Sequence, residues 1–339
     1  MINEIIKLID PNKFELFFKE EELKDKDYII VKPTYMSICA ADQRYYQGKR
    51  NREILNKKLP LTLIHECVGK VVYDSQGEFK QNEKVVLIPN TPTIEDDLIK
   101  ENYRKGSYFR SSTIDGFMQN IVFIRRDRCI SIEGIKENIA SLLELMSVSV
   151  NAIENFKINS IKKYNRIGIW GPGSVGYITY ILLKEYFPDT KIAIVGTSHE
   201  KLNYYPFADE KYLVTELGED FKVDHAFECV GGMGSETAVN QIIDHINPQG
   251  TISLLGVSEE PIRINTRMVL EKGLILLGNS RSGYEDFEKA VKILKNPKIQ
   301  EYIEKIISEE VEINNINDIY KAFDNDIVNS FKTIMKWKM

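Results

Sequence analysis

Cysteine is scarce and scattered in this chain: 339 residues hold four, Cys39, Cys67, Cys129 and Cys229, far apart from one another. With no export signal, that spacing argues against a disulfide framework, so each thiol is expected to be core filler, metal ligand or nucleophile. Long apolar runs are missing as well, and no stretch approaches the ~20 residues of a membrane span. The opening Met1-Ile2-Asn3-Glu4 brings an acid early and no basic n-region, and Asp10, Lys13 and Glu15 follow. A secretory segment is therefore not expected, and a soluble cytoplasmic protein is. Nor does one sign of charge dominate: 45 Lys and Arg stand against 50 Asp and Glu, for a net charge of -5. Interspersed in this way, they form no basic stripe for nucleic acid and no polybasic tail for a membrane, which leaves small phosphorylated ligands as the open anionic partners.

What is present changes character near residue 138. The length suits two domains. Up to about residue 132 the chain reads as short β-rich runs at 28–32, 68–73, 84–88 and 117–124, with turns such as Asp74-Ser75-Gln76-Gly77 between them and no long helix. Residues 90–113 hold Asp96, Asp97, Lys100, Lys105 and Arg110 and are expected to form a long surface loop or lobe. Further on, Leu142, Leu143, Leu145, Met146, Val148, Ala152 and Ile153 predict a buried helix, and apolar strands recur at 166–170, 191–195, 225–229, 251–255 and 274–277. Asn247-Pro248-Gln249-Gly250 marks the stop before the fourth of these. Such alternation calls for a doubly wound parallel sheet. A helix at 284–294 then leads to a mixed segment ending in a strand at 333–337.

The stretch Ile167-Gly168-Ile169-Trp170-Gly171-Pro172-Gly173-Ser174-Val175-Gly176 is a strand running into a glycine-rich turn and then a helix. A turn of this kind offers backbone amides and a helix N-terminus to a pyrophosphate. An ordinary strand-to-helix turn is the plainer reading, and the second strand arriving at 191–195 favours a nucleotide instead. In NAD-binding folds a carboxylate at the end of that second strand receives the ribose hydroxyls. Here the strand ends Ile194-Val195-Gly196-Thr197-Ser198-His199-Glu200-Lys201, with Gly196 where the acid would stand. Loss of the acid removes negative potential, and Thr197, Ser198, His199 and Lys201 offer donors to a 2'-phosphate, which points to NADPH. The alternative is a polar turn in which Glu200 serves the ribose.

Upstream lie Ser37-Ile38-Cys39-Ala40-Ala41-Asp42, then Ile64-His65-Glu66-Cys67-Val68-Gly69, then Leu143-Glu144-Leu145. Thiolate, imidazole and carboxylate are ligands that catalytic zinc accepts, with a further position kept for water or substrate. Singly, Cys39 reads as a small buried hydrophobe, His65 as a core histidine and Glu144 as an exposed helix residue.

Taken in order, and followed by the glycine turn, these stretches resemble the zinc-dependent medium-chain dehydrogenase/reductase superfamily over essentially the whole chain. The family's G-I-C-x-x-D, G-H-E-x-x-G and polyol-dehydrogenase E-P motifs correspond to the three segments just quoted, the last without its proline. The resemblance implies an α/β fold: a GroES-like β-rich catalytic domain of residues 1–144 and 281–339, and a Rossmann doubly wound parallel-sheet domain of residues 145–280. It implies zinc at Cys39, His65 and Glu144, with Glu66 as ligand or neighbouring carboxylate, Asp42 behind the site and Cys67 in packing. Members with a structural zinc carry four cysteines after the catalytic histidine; residues 90–113 contain none, so one Zn2+ per chain is expected. Ala41 and Arg44 stand where many members place a hydroxyl and a histidine. The proton donor is thereby left open, a water near Glu66 being one option, and Arg44 could instead meet an anionic substrate.

Four further stretches, residues 36–46, 87–93, 107–112 and 227–232, are similar to the bacterial ribulose-5-phosphate reductases, or ribitol-5-phosphate 2-dehydrogenases, which serve CDP-ribitol synthesis for teichoic acids and capsules. This likeness implies NADPH-dependent reduction of D-ribulose 5-phosphate to D-ribitol 5-phosphate, with Arg44 and Arg110 as candidates for the substrate phosphate. The family pattern adds Val230, Gly231, Gly256, Val257, Asn279 and Arg281 on the nicotinamide side and Lys332 at the pyrophosphate, although Gly256 and Lys332 also read as a simple turn and a surface lysine. A homodimer or tetramer is expected, with a functional link to a ribitol-5-phosphate cytidylyltransferase. The competing readings are another zinc polyol or alcohol dehydrogenase, and a non-catalytic nucleotide-binding protein of the same fold.

Overall fold

A computed structural model describes residues 1–23, 25–205 and 207–339. It divides into two compact units, one of residues 1–147 with 281–339 and one of residues 148–280. Among the described residues no helix is long and apolar enough to cross a membrane.

The first unit is built on a seven-stranded sheet in the order Ile307–Ile313, Lys332–Trp337, Tyr28–Ser37, Glu66–Tyr73, Lys84–Leu87 and Cys129–Ser131, with Val122–Arg125 also pairing to Tyr28–Ser37. Alternation sorts its faces: Ile29, Val31, Met36, Cys67, Val71, Val85 and Leu87 enter one apolar core with Phe323 and Met335. Register then does the work that matters for chemistry. Ser37 lies opposite both Glu66 and Ile334, so the end of one strand, the start of the next and the start of a third meet at one edge of the sheet. Cys39, His65, Glu66 and Lys332 all sit within two residues of that meeting point.

The second unit holds a six-stranded parallel sheet in the order Glu210–Leu213, Lys191–Gly196, Arg166–Trp170, Val223–Glu228, Ile246–Leu254 and Ile275–Gly278. Val223–Glu228 is buried along its whole length, as a strand covered on both faces must be. The chain winds outward from Arg166–Trp170 and returns on its other side at Val223–Glu228, which makes the carboxyl ends of these two strands the topological switch point where such sheets bind ligands.

Several elements depart from the sequence reading. Only Val122–Arg125 of the run at 117–124 is a strand; Phe117 N–H is taken by the Ile64 carbonyl and Asn120 N–H by that of Glu4, so those residues bridge segments instead of joining a ladder. Two seven-residue helices, Ala40–Tyr46 and Arg52–Lys58, are too short to leave a helical period in the sequence. The turn at 247–250 does not stop the chain before a strand but lies inside Ile246–Leu254, as a bulge in which Gln249 has φ 61°. The hairpin Ile2–Asp10 with Lys13–Glu20, the strand Ile307–Ile313 and the helix Ile316–Val328 complete the first unit.

Candidate active site

Cys39 is the extended residue that caps helix Ala40–Tyr46, with φ -101° and ψ 152°. Its N–H donates to Asp42 Oδ2 at 3.3 Å, which fixes the first turn of the helix and buries the aspartate behind the thiol. Asp42 Oδ1 accepts from Ile64 N at 3.0 Å and from Ser111 Oγ at 2.6 Å, and Oδ2 lies 3.4 Å from His65 Nδ1. A carboxylate on one ring nitrogen orients the imidazole and leaves Nε2 as its ligating atom. Burial opposes a charge on His65, but the carboxylate of Asp42 and the neighbouring Cys39 outweigh it and raise the histidine well above its ordinary value. The pocket favours positive charge.

Glu66 opens its strand fully buried. Oε1 accepts from Lys332 Nζ at 2.8 Å, and the same ammonium donates to the Ile38 carbonyl at 2.6 Å. Oε2 has no hydrogen-bond partner, although it is buried. A buried carboxylate oxygen left in that condition costs free energy unless something else meets it. Ligand atoms of Cys39, His65 and Glu66 lie within 4.8 Å of one another. Glu144 stands in the first turn of helix Leu143–Asn159, buried where the sequence reading had an exposed alternative. Its carboxyl is pushed up to about 7, first by burial and then by the charges of Glu66 and Asp42, against His65 and Lys332. One thiol, one imidazole and clustered carboxylates with an unmet oxygen fit a divalent zinc ion.

Two residues sit differently from the roles assigned on sequence. Lys332 is buried on Glu66 and Ile38, so its ammonium is spent within the first unit rather than on a pyrophosphate. Arg110 points its guanidinium at the Phe123 and Asp115 carbonyls, at 2.7 and 3.3 Å, and lies over the Phe117 ring; its donors hold backbone and not phosphate. Arg281 belongs to the first unit, with its Cζ 4.6 Å from the Phe109 ring centroid. Arg44 is half-buried in the last turn of helix Ala40–Tyr46. Cys67 is core, its thiol raised by burial. The lobe at 90–113 is organised without cysteine: Arg104 donates to the carbonyls of Ile99, Ile94 and Asp96, while Arg128 pairs with Glu101 at 2.8 Å.

In the second unit the glycine turn is set by backbone contact. Gly171 has φ 101°, and a Cβ there would lie 2.7 Å from the Cys229 carbonyl carbon. A Cβ on Gly176 would lie 2.0 Å from the Gly171 oxygen, so the helix can begin this close to the strand only with glycine. Gly173, the cap of helix Ser174–Tyr186, faces open space, which suits approach of a phosphate to Ser174 and Val175 at the helix start. Gly196 ends its strand, and a Cβ on it would reach Pro172 Cγ at 2.5 Å. Thr197 and His199 beyond it are exposed, with Ser198 and Lys201 half-buried around the short helix His199–Asn203.

A residue the sequence reading passed over ties the switch point together. Glu228 is buried at the end of its strand and accepts from Val230 N, Gly231 N and Gly256 N at 2.8, 3.0 and 3.1 Å. It leaves the side chains of Val230 and Val257 exposed at the carboxyl ends of two strands, an apolar edge of the kind a nicotinamide ring packs on. Asn279 Nδ2 donates to the Leu277 carbonyl at 3.0 Å, and its Oδ1 accepts from Asn155 Nδ2 at 2.9 Å. The signal for Glu228 was an acid followed at once by Cys229-Val230-Gly231-Gly232, a strand end turning into glycine.

Comparison with known proteins gives the same outline. Residues 25–134 match the alcohol dehydrogenase GroES-like domain and residues 191–296 the zinc-binding dehydrogenase domain. Over the full length of both chains the sequence is 49% identical to ribulose-5-phosphate reductase 1 of Staphylococcus aureus and 44% identical to the ribulose-5-phosphate reductase of Bacillus spizizenii. The crystal structure of S. aureus TarJ in complex with NADPH superposes with a TM-score of 0.89 at 44% identity, covering all of both chains.

Proposed function

Since the chain belongs to the zinc-binding dehydrogenases, and within them to the ribulose-5-phosphate reductases, we propose that it reduces D-ribulose 5-phosphate to D-ribitol 5-phosphate with NADPH as the hydride donor. The observation that carries this reading is the cluster of half-buried Cys39 with buried His65 and Glu66, one carboxylate oxygen of which is unmet. Zinc bound there would supply Lewis acidity to a carbonyl oxygen that gains negative charge on reduction. Cys39, His65 and Glu66 would hold it, the three whose ligand atoms come together, with Glu144, the carboxylate expected from the sequence, outside that group. Asp42 keeps His65 Nδ1 engaged and so presents Nε2, and Lys332 fixes Glu66 through Oε1. Ala41 and Arg44 provide no hydroxyl or imidazole for a proton relay, and Arg44 is the cation this reading assigns to an anionic substrate.

For the cofactor, Gly171, Pro172, Gly173, Ser174, Val175 and Gly176 receive the pyrophosphate, and Gly196 in place of an acid, with Thr197, Ser198, His199 and Lys201 after it, admits the 2'-phosphate. The exposed Val230 and Val257, on loops braced by Glu228, line the nicotinamide side with Gly256. The edge strand Ile275–Gly278 and the exposed Leu270 support association of two copies through the second unit. The enzyme works in the cytoplasm and passes its product to a ribitol-5-phosphate cytidylyltransferase, for CDP-ribitol and ribitol teichoic acid or capsule.

The test follows NADPH consumption with D-ribulose 5-phosphate, D-xylulose 5-phosphate and unphosphorylated ribulose, with each nicotinamide, before and after chelation. Chelator-sensitive turnover restricted to ribulose 5-phosphate and NADPH is expected. Faster turnover of an unphosphorylated ketose, or of NADH, would transfer the chain to a different polyol specificity.

A further inference from the structure

Among the described residues, strand Lys13–Glu20 pairs only with Ile2–Asp10, so one of its two edges carries no ladder. A row of outward N–H and C=O groups is a template for another strand. Which groups point outward follows from the bonds already made. Met1 and Glu21 exchange both backbone hydrogen bonds, at 2.9 and 2.7 Å, so the odd-numbered residues turn their amides towards the partner strand. The even-numbered ones turn theirs away. Phe14 has its N–H and its C=O both met by the Tyr320 hydroxyl, at 2.7 and 3.3 Å, which closes the edge there. Leu16 and Phe18 are the next outward positions.

The side chains along this edge are apolar at the centre and charged at both ends. Leu16, Phe17 and Phe18 are 42, 36 and 65% exposed in succession. One face of the strand carries Lys13, Glu15, Phe17, Lys19 and Glu21, with Lys13 beside Glu15 at 3.3 Å and Lys19 beside Glu21 at 2.7 Å. At equal distances from Phe17 the charges have opposite signs. A two-fold axis at Phe17 therefore sets Glu15 against Lys19 and Lys13 against Glu21, each twice, in an antiparallel pair of identical strands. The same register brings the outward amides of Leu16 to those of Phe18. Moving the axis to Leu16 would put Lys13 against Lys19, and moving it to Phe18 would put Glu15 against Glu21. Charge selects the register centred on Phe17.

We propose that strand Lys13–Glu20 docks antiparallel on the same strand of a second copy of this chain, with the two Phe17 side chains meeting on the axis. Backbone bonds between Leu16 and Phe18 join the two hairpins into one continuous sheet, and the side chains of Leu16 and Phe18 cover each other across the join. The contact is isologous, so it closes on two copies and leaves no further edge to extend. It is separate from association through the second unit, and the two together would give a tetramer.

Sedimentation velocity of the full chain over a range of concentrations tests it. Glu15→Lys sets two lysines against each other on both sides of the axis and weakens this association about 10-fold. Phe17→Asp places two carboxylates on the axis and halves the mass of the assembly. Glu15→Lys combined with Lys19→Glu exchanges the signs and keeps the complementarity, so the mass of the wild type returns. All these side chains are exposed, and an unchanged Tm shows that each variant folds. A tetramer that becomes a dimer, or a dimer that becomes a monomer, supports the proposal, because association through the second unit does not involve this strand. A mass equal to that of the wild type in both Glu15→Lys and Phe17→Asp overturns it. So does a double exchange that fails to recover the association lost in Glu15→Lys.

Discussion

Lys332 Nζ lies 2.8 Å from Glu66 Oε1, a pair formed across 266 positions of sequence by two strands that flank Tyr28–Ser37 in the sheet. Both groups are buried, so neither charge is met by water. A buried ion pair need not add net stability, but removing one partner strands the other. Lys332→Met is therefore expected to destabilise the protein by about 3 kcal/mol, with Lys332→Arg costing less. Urea unfolding at fixed zinc concentration measures it. Stability within about 0.5 kcal/mol of the wild type would show that Glu66 does not depend on the ammonium.

That pair also marks the limit of what is legible in the sequence. The motifs around Cys39, His65 and Gly171 are local, and local spacing carries their chemistry. Lys332 offered only a basic residue near the chain end, because its partner is set by sheet register and not by neighbours in sequence. Arg110 misled for a related reason: it sits in a motif-like stretch, yet the carbonyls of Asp115 and Phe123 are what its fork meets. The helix 284–294 was legible from its apolar period, whereas Ala40–Tyr46 and Arg52–Lys58 end before a period can show.

One zinc ion per chain is expected by elemental analysis of protein prepared without chelator, and Cys39→Ala or His65→Ala should lose it together with turnover. The lobe at 90–113 needs no metal, since Arg104 gathers the carbonyls of Ile94, Asp96 and Ile99. Arg104→Ala should then speed proteolysis within the lobe without changing zinc content. Two zinc ions per chain would contradict this account of the lobe.

Gly196→Asp tests the cofactor choice. The new carboxylate would repel a 2'-phosphate, and its Cβ would press on Pro172 Cγ, 2.5 Å away, within the glycine turn. KM for NADPH is expected to rise about 10- to 100-fold, without a matching gain for NADH because the turn itself is displaced. An unchanged KM for NADPH would mean that the ribose phosphate lies elsewhere.

His225 gives the second unit an acid-sensitive point. Its ring is buried at centroid distances of 4.9 Å from Phe156 and 5.6 Å from Tyr164, and Nδ1 accepts from Thr251 N at 3.1 Å. Burial lowers its pKa to about 4, from the ordinary 6.5. Between those values the unfolded chain takes up a proton that the folded chain refuses, so stability contributed by the neutral ring is full above pH 6.5 and falls as pH drops towards 4. Between pH 7 and pH 4.5 the wild type should lose about 2 kcal/mol more than His225→Gln, which can still accept from Thr251 but cannot titrate. Urea unfolding of both proteins at the two pH values decides it. Parallel losses would place the acid sensitivity in other groups.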